Sequence, residues 1–282
     1  MILPDSWGED LKALLVVNYR RIDQVLLKMI TEELRQRGID SQLCSDDKPD
    51  RKPDVDVIMT FGGDGTVLRA VRTAIGQGLP ILSFRAGSVG FLTSFDLEHF
   101  AEALDLLVKD RLIADQRRLL EIEMEGSSYF VLNDCVIERG TPSRTVSLQV
   151  GIEGFDSYRI AGDGVVVSTS TGSTAYSLAA GGPVIDPAAS VYCITPVSPH
   201  NPYVGSMVVS GGKLSTIEVI SDKGYPVTIY ADGLYTRKLN SGDVLTVILS
   251  EKGIVLLRKE PFDYVEVLRR KLAFGGRLKN GF

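Results

Sequence analysis

Hydrophobic periodicity changes once along this chain, and that change constrains the fold more than any other feature. Up to about residue 115, short apolar runs alternate with stretches of helical period. Residues 13–18 read as a buried strand, 39–43 as a short second strand, 55–61 as another apolar run and 80–84 as a fourth strand. Residues 23–37 carry apolar side chains at 25, 26, 29, 30 and 34, and residues 66–75 at 67, 68, 71, 74 and 75, both helical stripes. Gly38 marks a helix stop, residues 45–53 a charged, proline-punctuated loop, and residues 96–108 a further amphipathic helix. Strands alternating with helices imply parallel strands joined by crossovers and covered on both faces. The expected fold of this part is a Rossmann-like α/β domain.

Beyond residue 115 the period drops to two. Residues 119–125, 129–138, 146–152 and 215–220 alternate, and 227–230, 244–249 and 254–257 add short apolar runs between turn residues. Many short strands with turn signals predict an all-β, sandwich-like domain. A helical pattern returns at 263–273. The expected organisation is an α/β domain over 1–105, a β-rich substrate-binding domain over 106–261, and a C-terminal helix over 262–282 packing back on the first domain.

Composition narrows the function classes. The chain has 282 residues, 31 basic and 36 acidic, for a net charge of −5. With no long basic run, nucleic-acid binding is not expected. The cysteines, Cys44, Cys135 and Cys193, are odd in number and far apart, which argues against a disulfide framework or zinc site and for a cytoplasmic location. The opening M-I-L-P-D-S-W-G-E-D lacks the basic-then-apolar order of a signal peptide. No run of eighteen apolar residues suggests a membrane span. Only His99 and His200 are present, too few for chemistry built on several histidines.

The stretch T-F-G-G-D-G-T-V-L-R-A-V, residues 60–71, joins a strand to a helix. In open α/β sheets ligands bind beyond the carboxyl ends of strands, and helix N-termini attract phosphate. Gly62, Gly63, Gly65 and Thr66 therefore read as a phosphate cradle, with glycines letting backbone N–H groups approach closely. Asp64 does not belong in a pure phosphate cradle. A carboxylate there makes sense if it accepts the proton of an alcohol during phosphoryl transfer. Arg69, one turn on, could meet a phosphate. The plainer reading is a tight Asp-Gly turn with Asp64 capping the helix. Neither a P-loop nor a standard dinucleotide fingerprint is present.

Two further constellations stand out. In A-G-D-G-V-V-V-S-T-S-T-G-S-T-A-Y-S-L-A-A-G-G-P, residues 161–183, a short strand leads into hydroxyl residues 168–173 and a helix expected from Thr174. This reads as a second anion or nucleotide site, or as a flexible Gly/Ser linker. The pairs at 64–65, 163–164 and 232–233 could each be an Asp-Gly hairpin turn. In V-L-N-D-C-V-I-E, residues 131–138, Asn133 and Asp134 interrupt a strand; the pair could read an adenine edge, or mark a bulge or exposed edge.

Taken together, the chain resembles the NAD kinases. The resemblance rests on G-G-D-G-T at 62–66, G-S-V-G-F-L-T at 87–93, N-D at 133–134, the block at 163–183 and P-V-S-P-H at 196–200, in family order. G-G-D-G alone is shared with lipid kinases and phosphofructokinases. The resemblance implies two domains with a site in the cleft between them. It implies transfer of the γ-phosphate of ATP, or of polyphosphate, to the 2′-hydroxyl of the adenosine ribose of NAD, giving NADP. Asp64 is then the proton acceptor, and Gly65, Arg69 and Phe91 lie against substrate. Asn133 and Asp134 read adenine, Asp163, Thr174, Ala175, Tyr176 and Ser177 line the nucleotide pocket, and Arg144 is a basic contact. Mg²⁺ or another divalent metal, and a homodimer or homotetramer, are implied too. Arg85 stands where many members carry asparagine, and Ala161 where some carry a basic residue.

Two alternatives share these features. A lipid kinase of the diacylglycerol or sphingosine type shares G-G-D-G but should carry an amphipathic basic surface, which the sequence lacks. A non-catalytic NAD sensor would keep the pocket, yet gains nothing from Asp64 beside phosphate.

Overall fold

The computed structural model describes residues 10–45, 53–140, 145–200, 204–221 and 224–276. Residues 46–52 of the expected loop, and Arg144, lie outside the described residues. The chain forms two compact units, residues 1–116 with 253–282, and residues 117–252.

The first unit contains β1 (Lys12–Val17), α1 (Gln24–Gln36), β2 (Asp40–Ser45), β3 (Val57–Gly62), α2 (Asp64–Gln77), β4 (Ile81–Arg85), the short β5 (Phe95–Asp96) and α3 (Phe100–Val108). Local chemistry sets these limits. Asp23 caps α1 by accepting from the Leu26 N–H at 2.8 Å. Gly38 beyond α1 and Gly78 at the end of α2 both have φ of +71°, the left-handed region that glycine adopts without strain. β3 is buried along its whole length, as expected for a strand covered on both faces. Below its end Phe61, Phe84 and Phe100 pack together, with ring centroids 5.2 Å apart for Phe61–Phe84 and 4.8 Å for Phe84–Phe100. This cluster belongs to a core that also holds Leu15, Leu34, Leu104 and Leu257, and it gives the following loop a rigid base.

The second unit holds β6 (Ile113–Met124), whose N-terminal end lies in the first, β7 (Ser127–Val131), β8 (Asp134–Arg139), β9 (Val146–Ile152), β10 (Tyr158–Gly162), β11 (Gly164–Thr169), α4 (Tyr176–Ala179), β12 (Val191–Val197), β13 (Met207–Ser210), β14 (Ser215–Ser221), β15 (Val227–Ala231), β16 (Leu234–Leu239) and β17 (Val244–Arg258). One sheet has the order β13-β12-β11-β8-β15-β16, with antiparallel pairing throughout. β10, β9, β14 and the first half of β17 form a second antiparallel layer. The two bury a shared core including Leu148, Val165, Ile194 and Val247.

Late in the chain, Leu256 and Leu257 of β17 pair in parallel with Ile81 and Leu82 of β4. The first unit's sheet is thus ordered β17-β4-β3-β1-β2. α5 (Tyr264–Leu272) follows in the same unit. The observed division falls at 116/117 and 252/253, where the sequence reading placed it at 105/106 and 261/262, because β6 and β17 run through both crossings without a break.

Three elements differ from expectation. The runs 244–249 and 254–257 form one strand of 15 residues. The run 129–138 breaks at Leu132–Asn133. The helix expected from Thr174 is a 3-10 turn over Thr171–Thr174 followed by the four-residue α4.

Candidate active site

In the first unit the chain leaves β3 at Gly62 and enters α2 at Asp64, with Gly63 as N-cap and no side-chain capping bond. Asp64 therefore does not cap its helix. Its carboxylate turns instead to the segment after β4: Oδ2 accepts the Phe91 N–H at 2.9 Å and Oδ1 the Leu92 N–H at 3.0 Å. Lys271 in the last turn of α5 donates to Oδ2 at 3.0 Å. These groups face a cavity of about 310 Å³ whose lining includes Asn18, Arg21, Gly63, Asp64, Gly65, Thr66, Arg69, Gly90 and Lys271. Asp64 is the one carboxylate among them.

The glycines have different reasons. At Gly62 a Cβ would collide with Thr66 Oγ1, so packing requires glycine there. At Gly63 a Cβ would meet nothing within 4 Å, and at Gly65 only Arg69 Nη1 at 3.8 Å. Internal packing does not demand glycine at either, and without a Cβ their backbone is open to close approach. Gly90 is the position that sequence reasoning missed. A Cβ there would strike Asp64 Oδ1 and lie 2.7 Å from Thr93 Oγ1. The glycine of G-F-L is what lets the carboxylate sit against the amides of Phe91 and Leu92. Phe91 is buried, and its ring lies 5.0 Å beneath Lys271 Nζ and 6.2 Å from the Tyr264 ring.

In the second unit Asn133 and Asp134 sit at the tight connection from β7 to β8. Asp232 builds that connection. Its carboxylate accepts the N–H groups of Leu132 at 2.9 Å, Asn133 at 2.8 Å and Asp134 at 3.2 Å. Residues 232 and 233 themselves form the two-residue turn between β15 and β16, with φ of 48° and 73°, the signature of a type I′ hairpin. Of the three Asp-Gly pairs, this one alone is a hairpin turn. The 168–173 run grips the connection from the other side: Thr169 Oγ1 donates to the Leu132 carbonyl at 2.5 Å and Thr169 N–H to that of Asn133 at 2.9 Å. Gly172 packs so closely that a Cβ would collide with the Asn133 backbone.

This corrects the reading of the hydroxyl run as an anion site or a flexible linker. Residues 168–173 are buried. Ser170 donates to Ala189 and Val191 carbonyls, and Ser173 to that of Ser170. Of these hydroxyls Thr169 holds the Asn133–Asp134 connection, while Ser170 and Ser173 bond to backbone carbonyls and Thr171 accepts from Arg117. Neither a bulge nor an exposed edge describes that pair. Asp134 is 6% exposed, Asn133 half-buried. Burial first, and the neighbouring Asp232 carboxylate second, push the Asp134 carboxyl up to about 7, against the opposing pull of the Tyr176 N–H.

The remaining expected residues fall around this connection or away from it. Thr174 and Ala175 are half-buried and Tyr176 exposed, in the turn that leads into α4. Ser177 is fully buried, its hydroxyl 2.9 Å from that of Thr195. Asp163 pairs with Arg139 Nε at 3.1 Å, and its N–H donates to Val197 at the head of P-V-S-P-H. Arg85, at the end of β4, is ion-paired with Asp96. Asp96, Glu98 and His99 bring ligand atoms within 4.8 Å of one another, but Arg85 already neutralises Asp96. Asp96 and His99 line a second cavity of about 320 Å³ in the first unit, which holds none of the expected site residues. Cys135 and Cys193 are buried thiols, and Cys44 is a half-buried one. Among the described residues, no helix is long and apolar enough to cross a membrane.

Comparison with known proteins shows the family. The chain matches the ATP-NAD kinase N-terminal domain over residues 25–112 and the ATP-NAD kinase C-terminal domain over residues 132–259. It is 37% identical to the NAD kinase of Thermotoga neapolitana, with 80% of this chain and 84% of that protein covered. It is 38% identical to the NAD kinase of Chlorobium phaeobacteroides, with 80% of each covered. Among solved structures, its fold matches yeast NADH kinase complexed with NADH at a TM-score of 0.81 and 23% identity, covering 98% of this chain and 91% of that one. It matches the NAD kinase of Archaeoglobus fulgidus in complex with ATP at 0.74 and 24% identity, covering 93% and 98%. The chain belongs to the NAD kinase family, and it is a kinase that transfers phosphoryl groups to an alcohol acceptor.

Proposed function

We propose that this protein transfers the γ-phosphoryl group of ATP to the 2′-hydroxyl of the adenosine ribose of NAD, giving NADP, with Asp64 accepting the hydroxyl proton. The observation that carries the assignment of Asp64 is its geometry. It lies in the first turn of α2 yet neither caps the helix nor closes a turn, and two backbone amides aim its carboxylate at a cavity beside Gly63 and Gly65. A fixed carboxylate beside phosphate-compatible amides suits a general base in phosphoryl transfer. In the forward step the ribose oxygen bonds to the γ-phosphorus and its proton passes to Asp64. The bond from phosphorus to the bridging oxygen breaks, and ADP leaves with that electron pair. The phosphate contacts fall to Gly62, Gly63 and Thr66, with Gly65, Arg69 and Phe91 against substrate.

The Asn133–Asp134 connection is the proposed adenine reader. An amide beside a carboxyl offers both donor and acceptor to a base edge, and three Asp232 bonds fix its backbone. Asp163, Thr174, Ala175, Tyr176 and Ser177 complete the pocket, Ser177 through its support of the turn. NADH and ATP, the ligands of the two solved relatives, support a dinucleotide acceptor and ATP as donor. Polyphosphate is the donor to compare.

Mg²⁺, or another divalent metal, is part of the proposal. One cavity carboxylate, already holding three donors, does not make a protein cage. It fits a metal carried mainly by donor phosphates, the usual habit of Mg²⁺. When bound, such an ion neutralises charge on the phosphates. We also propose a cytoplasmic homodimer or homotetramer. The outer strands β13 and β16 expose Val208 and Tyr235, apolar groups at sheet edges that proteins ordinarily cover; a solution mass equal to one 30.7 kDa chain would remove this part.

The test is purified protein with ATP, Mg²⁺ and either NAD or a diacylglycerol, with NADP read through a coupled dehydrogenase. NADP should form, and chelation by EDTA should stop it. Phosphorylation of the lipid, or NAD binding without turnover, would overturn the proposal.

A further inference from the structure

We infer that Lys271 is a phosphate-positioning residue, one that pairs with the Asp64 carboxylate and moves to the transferred phosphoryl group during the reaction. The inference rests on the kinase reading of Asp64 given above. A carboxylate offers about four lone pairs. Oδ2 of Asp64 takes two donors, the Phe91 N–H at 2.9 Å and Lys271 Nζ at 3.0 Å, while Oδ1 takes one, the Leu92 N–H. Gly90 packs against Oδ1, which leaves Oδ2 to receive a proton from an alcohol, and for that the ammonium has to withdraw. The Phe91 amide cannot withdraw without moving the backbone, so Lys271 is the mobile partner.

Where Lys271 goes is set by what surrounds it. Its side chain shares a cavity with Gly63 and Thr66, two of the groups proposed for the donor phosphates. A lysine is a point charge with three donors on a flexible stem, suited to following a phosphoryl group between two positions. Its root is fixed. Asp263 caps α5 by accepting the Glu266 N–H at 2.9 Å, Leu268 is buried, and the Phe91 ring lies 5.0 Å from the ammonium. A swing of the four-carbon stem therefore changes its partner without moving the helix. The Lys271–Asp64 pair is also partly exposed, with side chains 35% and 23% accessible, and pairs of that kind add little to stability. Throughout the transfer Lys271 keeps its proton: the hydroxyl proton goes to Asp64 and the leaving electron pair to ADP.

The test uses Lys271→Met and Lys271→Arg in the full chain, with ATP and Mg²⁺ as donor. Kinetics are run at saturating NAD and again at saturating ATP, with NAD affinity by calorimetry and Tm alongside. The methionine variant should lose about 10²-fold in kcat, the scale for removing one charge-stabilising donor, with NAD Kd within twofold and Tm unchanged. Arginine should restore at least tenfold of the loss. A methionine variant within twofold of the parental kcat overturns the inference. So does a loss that arginine does not restore or that tracks Tm or NAD affinity. If the parent chain forms no NADP, the kinase reading itself has failed. If the parent turns over and Asp64→Asn does not, an active methionine variant removes only the role of Lys271.

Discussion

Asp134 is a carboxylic acid placed where a carboxylate is costly. It is almost fully buried and faces a second acid, Asp232, and its carboxyl rises to about 7 against an unfolded value of about 4. Between those two values the folded chain holds a proton that the unfolded chain has released. Stability attributable to this group therefore falls as pH rises from about 4 to about 7, and above 7 the cost is fully expressed. Asp134→Asn, neutral in both states, removes that dependence. Its Tm relative to the parent should climb between pH 4.5 and pH 8; a constant difference would show that Asp134 is not held protonated. Sequence alone could mark Asn133 and Asp134 as odd within a strand, but not why. The cause is Asp232, 99 residues away for the Asn133 bond, and its Asp-Gly pair reads locally as nothing more than a hairpin turn. Lys271 was illegible for the same reason. With Arg269 and Arg270 it looks like the basic last turn that complements a helix dipole, and only the fold brings it to Asp64.

At the scale of elements, strands and helices were legible where one period ran without interruption. β1, α1, β3, α2 and β9 lie within a few residues of expectation, because one period runs through each, although of the expected α1 stripe Ile30 and Leu34 are buried while Val25 and Met29 are exposed. Reading failed where tertiary bonds override local pattern. β7 and β8 separate because three N–H groups turn to Asp232 instead of a neighbouring strand. α4 stops after one turn because the preceding hydroxyls are drawn inward to carbonyls. The segment following β4 shows how little room such junctions have. A methyl group at Gly90 would collide with Asp64 Oδ1, and the carboxylate would have to leave the Phe91 and Leu92 amides. Gly90→Ala should lower kcat by about 10²-fold, the scale of a misplacement near 1 Å, and cost about 1–3 kcal/mol of stability from overpacking. Activity assays with denaturant titration check both; parental kcat would mean the carboxylate does not need its present seat.

At the scale of the molecule, the change of period announced two units, and each has its own core. The phosphate loop, Asp64 and Lys271 belong to the first; the Asn133–Asp134 connection, Asp163 and Tyr176 belong to the second. The limits of the units were harder to read, because both crossings run inside strands, where no turn residue punctuates the chain. G-G-D-G and the 163–183 block were readable as site elements because they break the surrounding period. The first faces a cavity, and Thr169 and Gly172 of the second brace the Asn133–Asp134 connection. Everything proposed for the chemistry returns to one carboxylate. Turnover of Asp64→Asn, with NAD affinity measured on the same preparation, tests it most directly. The kcat should fall by about 10²–10⁴-fold, the range for losing a general base, with NAD Kd unchanged; a variant that forms NADP at the parental rate would contradict it.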